Sequence, residues 1–140
     1  MQYTIRQMTI RDYDPSIELW KRTEGMGLSE ADSREAIMAY LERNPEMSFV
    51  CLDEERIIGT ILCGHDGRRG FIYHLAVDAE YRGRSIATRL VENSLSMLER
   101  CHIDKCHLLV IADNELGNHF WSQSGWQRRE GLFLYSKSIT

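Results

Sequence analysis

An apolar run from Phe71 to Val77 stops at a turn, Asp78–Tyr81, and Arg82-Gly83-Arg84-Ser85-Ile86-Ala87 then opens an amphipathic helix. This stretch restricts the chain more than any other. A strand that hands a Gly- and Arg-bearing loop to a helix N-terminus converges backbone N–H groups at one point, where the helix dipole adds partial positive charge. The matching ligand is a phosphate or pyrophosphate. The loop is not a G-x-x-x-x-G-K-[ST] P-loop, nor a G-x-G-x-x-G dinucleotide turn. It points to a different phosphate-bearing molecule.

The rest of the chain supplies the frame around that loop. Residues 3–8 alternate and predict a strand. Ile17, Leu19 and Trp20 predict a helix to about Thr23, broken by Gly25-Met26-Gly27. Ser29 is placed to cap a second helix to about Arg43, with Ala36, Ile37, Tyr40 and Leu41 on its apolar face. Asn44-Pro45 ends it. Residues 48–53 and 56–65 predict a hairpin around Glu54-Glu55, and 66–70 a turn. Ile86, Leu90, Val91, Leu95 and Leu98 give the long helix its core stripe. Residues 106–112 predict a buried strand, Asn114 the cap of a short helix to about Ser124, and Trp126–Ser138 a last strand. The order β-α-α-β-β-β-α-β-α-β is α+β with a mixed sheet.

Composition narrows the function classes. The chain has 140 residues, enough for one domain spanning residues 1–140. A net charge of -4 argues against nucleic-acid binding. No leader pattern follows Met1 and no apolar stretch approaches the roughly 20 residues of a membrane span, so a cytoplasmic protein without a membrane partner is expected. Cys51, Cys63, Cys101 and Cys106 form no C-x-x-C pair, which predicts reduced thiols and no metal site.

Downstream of the loop stands Asn114-x-x-Gly117-x-x-Phe120-Trp121-x-x-x-Gly125-Trp126. Together with LAVDAEYRGRSIA, at residues 75–87, it resembles the GCN5-related N-acetyltransferase (GNAT) superfamily. The stretch DGRRGFIYHLAV followed by FW and GW is similar to a small bacterial acetyltransferase subfamily. The resemblance implies the acyl-CoA N-acyltransferase fold, with a mixed, mostly antiparallel sheet of six to seven strands flanked by helices. It also implies a cofactor, acetyl-CoA. The pantetheine arm would lie between two splayed parallel strands, on backbone groups of Leu75, Ala76 and Val77. The pyrophosphate would meet the N–H groups of Gly83, Arg84, Ser85, Ile86, Ala87 and Thr88, with Arg82 and Arg84 adding charge-assisted contacts. Asn114 would bond the pantetheine, and Phe120 and Trp121 would border the arm and thiol.

The chain departs from the family pattern at Ser85, where Gly is usual, and at Trp121, where many members carry a Tyr that protonates the leaving thiolate. An indole N–H donates a hydrogen bond but does not give up its proton. A thiol pKa of roughly 8.5 still makes thiolate a fair leaving group. The catalytic candidates are Tyr73, His74 and Glu24. Strict alternation puts Phe71 and Tyr73 on one face of their strand, which the resemblance implies is the acceptor-facing one, and His74 on the other; a β-bulge there would change this. Glu24 lies in the loop where the family builds its acceptor pocket. The expected reaction is direct attack of a primary amine on the thioester in a ternary complex. The acceptor is read first as a small molecule, with a protein or peptide amine as the alternative. A catalytically weak coenzyme A sensor is the rival from another class. The family resemblance also raises a homodimer through the last strand.

Overall fold

The computed structural model describes residues 2–140. These form two compact units, the first ending at Leu109 and the second running Val110–Thr140.

In the first unit, five strands line up in chain order: β1 (Thr4–Gln7), β2 (Phe49–Asp53), β3 (Arg56–His65), β4 (Gly70–Val77) and β5 (Cys106–Leu108). The first three pairings are antiparallel and the last, β4 with β5, is parallel. The hairpin of β2 and β3 turns at Glu54, which takes the left-handed conformation (φ 58°). Three helices belong to this unit: α1 (Tyr13–Lys21), α2 (Arg34–Arg43) and α3 (Ile86–Arg100). Ser29 caps a separate 3-10 turn, Glu30–Asp32, while Ser33 caps α2. The expected single helix is therefore two elements, because Ser33 resets the backbone to an extended conformation (φ -65°, ψ 162°).

Alternation along β3 divides the helices between the two faces of the sheet. A side chain at Gly59 would press on Ile86 and Leu90 of α3, and the next residue, Thr60, meets Trp20 of α1. One core layer thus packs Leu19, Trp20 and Ile37 against Val50, Leu52, Leu62 and Ala76. On the opposite face, Leu98 of α3 closes over Gly70 so tightly that a Cβ would stand 2.6 Å from it.

Asp78, just past β4, fastens the start of the Gly/Arg loop. Its buried carboxylate accepts from the Glu80 backbone N–H at 3.0 Å, from Arg22 at 2.9 Å and from Arg56 at 3.1 Å. Burial pushes this carboxyl up, but the Glu80 N–H and the two guanidinium groups together hold it below its ordinary value. A carboxyl lowered in the folded state adds stability that is fully present above its unfolded value of 3.8 and is lost as pH falls through the folded value. Asp78→Asn should therefore lower stability by about 2 kcal/mol at neutral pH, a figure reduced for the half-exposed arginines. Urea titrations should find the two proteins converging once the pH is below both values of the carboxyl.

The second unit holds α4 (Glu115–Gln123), whose N-cap Asn114 accepts from the Gly117 N–H at 3.0 Å. Gly125 (φ 88°) stops the helix in the left-handed conformation, as expected from its sequence position. Two sequence expectations change here. Residues 109–112 are not part of a strand, and Leu109 and Ile111 are exposed. Residues 126–138 form no strand either, so the sheet has five strands rather than six or seven. Alternation supplies one face of a strand, but the strand exists only where a neighbouring edge accepts its ladder. Leu132, Phe133, Leu134 and Tyr135 are exposed.

Candidate active site

β4 organises the site through an irregularity. Thr60 of β3 stands opposite Ala76, but Leu62 stands opposite Tyr73, so Ile61 faces two residues of β4, His74 and Leu75. This is a β-bulge, and His74 at its centre has φ 48°. The extra residue shifts the alternation by one position. Phe71 and Tyr73 face α2, where Tyr73 meets the Tyr40 ring at 6.3 Å, and His74 faces α1, where its ring lies 4.6 Å from that of Trp20. The expectation that His74 points away from Tyr73 is therefore corrected. Both residues project from the face that carries α1 and α2.

Two hydrogen bonds fix the bulge from below. Trp20 Nε1 donates to Thr60 Oγ1 at 2.8 Å, and that hydroxyl donates to the His74 carbonyl at 2.9 Å. Both Trp20 and Thr60 are fully buried. The imidazole has its own partner, with Nε2 standing 2.5 Å from Oδ1 of Asp32. Asp32 Oδ2 already accepts from the Ser29 N–H at 3.0 Å, and its backbone carbonyl accepts from the Tyr13 hydroxyl at 2.6 Å. A carboxylate only accepts, so Nε2 carries the proton of this contact, and in the neutral ring the lone pair is then on Nδ1.

The aromatic residues of this face form a shelf. Phe71 stacks on Tyr73 with centroids 6.1 Å apart, and His107 of β5 lies 5.6 Å from Phe71. Tyr73 remains 42% exposed, so the shelf is open beside His74.

The expected cofactor residues of the first unit also fall together. The β4–β5 ladder ends at Ile72 opposite Leu108, so among the described residues Leu75, Ala76 and Val77 have no strand on that side. A pantetheine arm needs such a free edge. Beyond Asp78 the loop contains Gly83 at φ 78° and Ser85 at φ 64°. Ser85 takes the left-handed conformation that glycine adopts freely, at a cost of about 1 kcal/mol. It caps no N–H of α3 with its side chain, and the first turn of α3 carries no acidic residue. The first-turn donors at Ile86, Ala87 and Thr88 therefore remain available to an anion. Arg82 and Arg84 are exposed; Arg84 lies over the Tyr81 ring at 5.3 Å and donates to the Tyr3 hydroxyl. This arrangement fits a pyrophosphate.

Glu24 is exposed and stands 3.8 Å from Arg82. That contact ties it to the Gly/Arg loop. Asn114, Phe120 and Trp121 lie in the second unit, where Asn114 is the helix cap and the Trp121 ring packs edge-on against Phe120 and Trp126, each at 4.9 Å. The buried thiols of β3 and β5 are poor nucleophiles. Burial pushes Cys63 up to about 12 and Cys106 up to about 11. Sequence reasoning missed Asp32 and Thr60. Ser29-x-x-Asp32 carries the spacing of a capping box, which signalled a helix start but not the second bond of its carboxylate.

The model of the Acetyltransferase (GNAT) family matches residues 12–126. The chain belongs to this family. It is 35% identical over 113 residues to N-alpha-acetyltransferase 30 of Schizosaccharomyces pombe, covering 77% of this chain and 75% of the relative. It is 32% identical to acetyltransferase plu1384 of Photorhabdus laumondii, covering 96% of this chain and 94% of the relative. Among solved structures, the PaiA N-acetyltransferase of Thermoplasma acidophilum in complex with coenzyme A has the same fold, with a TM-score of 0.80, 21% identity and 94% of each chain covered. The protein is an acetyl-CoA-dependent N-acetyltransferase.

Proposed function

We propose that the acceptor is the α-amine of a peptide, acetylated by direct attack with His74 taking the proton from the incoming ammonium. The observation that carries this reading is the open aromatic shelf beside His74, with Tyr73 42% exposed. An extended chain can lie across an open face, whereas a small metabolite needs walls on several sides to bury its surface. The Schizosaccharomyces pombe relative, by its name an N-alpha-acetyltransferase, supports the same acceptor.

The cofactor brings the acetyl group as an activated thioester. Leu75, Ala76 and Val77 would bond the pantetheine arm, while Gly83, Arg84, Ser85, Ile86, Ala87 and Thr88 would bond the pyrophosphate, with Arg82 and Arg84 adding charge. By the family resemblance, Asn114, Phe120 and Trp121 of the second unit are further candidates for binding the cofactor. Tyr73 borders the acceptor, and Glu24 is assigned to the cofactor loop through Arg82. The amine must lose a proton before it attacks, and Nδ1 of His74 accepts it. Its second proton leaves with the thiol, which needs no dedicated acid at Trp121. Most of the rate comes from holding the two reactants together.

The test measures thiol release from acetyl-CoA with three acceptor sets. These are peptides with a free N-terminus, the same peptides blocked at the N-terminus but carrying lysine, and small polyamines and aminoglycosides. Free-N-terminus peptides should exceed both other sets in kcat/KM by at least tenfold. A small amine with the highest kcat/KM would overturn the proposed acceptor.

A further inference from the structure

We infer that Asp32 is a positioning residue, which holds His74 as the Nε2–H tautomer and so presents Nδ1 as the proton-accepting atom. This rests on the reading above that His74 takes the acceptor's proton. The geometry leaves the ring little choice. Asp32 Oδ1 stands 2.5 Å from Nε2, and the His74 side chain is 13% exposed and that of Asp32 10%. Trp20 lies against the ring at a centroid distance of 4.6 Å. The carboxylate is itself immobilised by the Ser29 N–H on Oδ2 and by the Tyr13 hydroxyl on its backbone carbonyl. Among the described residues no protein group bonds Nδ1.

The step balances simply. The ammonium N–H bond breaks, an Nδ1–H bond forms, and imidazole becomes imidazolium while Asp32 keeps its charge beside it. A buried carboxylate that already faces the ring stabilises that cation without moving. The same contact ties the segment before α2 to the bulge of β4, so the acceptor side of the site and its base are held by one side chain.

Asp32→Asn separates this role from simple packing. The side chain keeps its size but has one oxygen for two donors. The Ser29 N–H claims that oxygen, which turns the amide NH2 toward Nε2 and favours the Nδ1–H tautomer. In a hydrolase triad the same exchange lowers kcat about ten-thousand-fold by imposing the wrong tautomer. The experiment labels the full chain with 15N-histidine and reads the His74 tautomer by long-range 1H–15N correlation, assigned through His74→Gln. The wild type should show a protonated Nε2 and a bare Nδ1, and Asp32→Asn the reverse. With acetyl-CoA and the best peptide of the panel, Asp32→Asn should lower kcat by about a hundredfold or more, and by no more than His74→Gln does, with KM for acetyl-CoA within twofold. A wild-type Nδ1–H tautomer overturns the inference even if the variant fails to fold. So does an Asp32→Asn enzyme with wild-type kcat. Full turnover in His74→Gln would instead sink the reading of His74 as base, whatever tautomer the spectra report.

Discussion

Replacing His74 should lower kcat between about a hundredfold and ten-thousandfold, the range usual for a general base, while coenzyme A binds as tightly as before. The suitable pair of variants is His74→Asn and His74→Ala. Asparagine tolerates the left-handed backbone that the residue adopts at φ 48° better than alanine does. A loss common to both variants is therefore chemical, and any extra loss in alanine reports backbone strain. Coenzyme A affinity should not move, because its expected contacts run through Leu75–Val77 and Arg82–Thr88 and not through the imidazole. Steady-state kinetics with acetyl-CoA, together with calorimetric titration of coenzyme A, read the two quantities separately. Turnover within about threefold of wild type in His74→Asn would exclude His74 as the base, since that is well below the smallest effect expected of one.

Trp20→Ala should cost about 3–5 kcal/mol of folding stability, a large share of the 5–15 kcal/mol that holds a typical domain. Trp20 is fully buried between α1 and the sheet. Its removal opens a cavity in the core cluster that also holds Leu19, Ile37, Val50 and Leu62, buried residues that cannot all collapse inward. It also deletes the indole N–H that orients the Thr60 hydroxyl toward the His74 carbonyl. The variant should therefore lose activity beyond what its unfolded fraction explains. Chemical denaturation gives the stability, and kcat at a temperature where the variant is still folded gives the second effect. Trp20→Phe, which keeps most of the ring volume but not the N–H, should recover much of the stability and little of the kcat.

Much of this molecule could be read from local pattern. The Gly/Arg loop with its helix, the hairpin turned at Glu54-Glu55, the Asn114 cap and the Gly125 stop are each set by a few neighbouring residues. Backbone propensity, capping chemistry and periodicity act over that range. Ser29 and Ser33 show its limit. Both are good caps, and only the extended backbone at Ser33 divides the segment into two elements.

His74 marks what tertiary structure alone decided. Its face follows from how β3 pairs with β4, and a bulge is a property of two strands, invisible in the alternation of one. Asp32 lies 42 positions away in sequence, and nothing local assigns its second oxygen to an imidazole. The free edge at Leu75–Val77 depends in the same way on where β5 stops pairing, at Leu108. By itself, the sequence determined the Gly/Arg loop and, with the motif after it, the family and the cofactor, because those reside in contiguous motifs. The bulge that turns His74, its contact with Asp32 and the exposed aromatic face at Tyr73 came only from folding, because each is made by residues that local forces do not bring together.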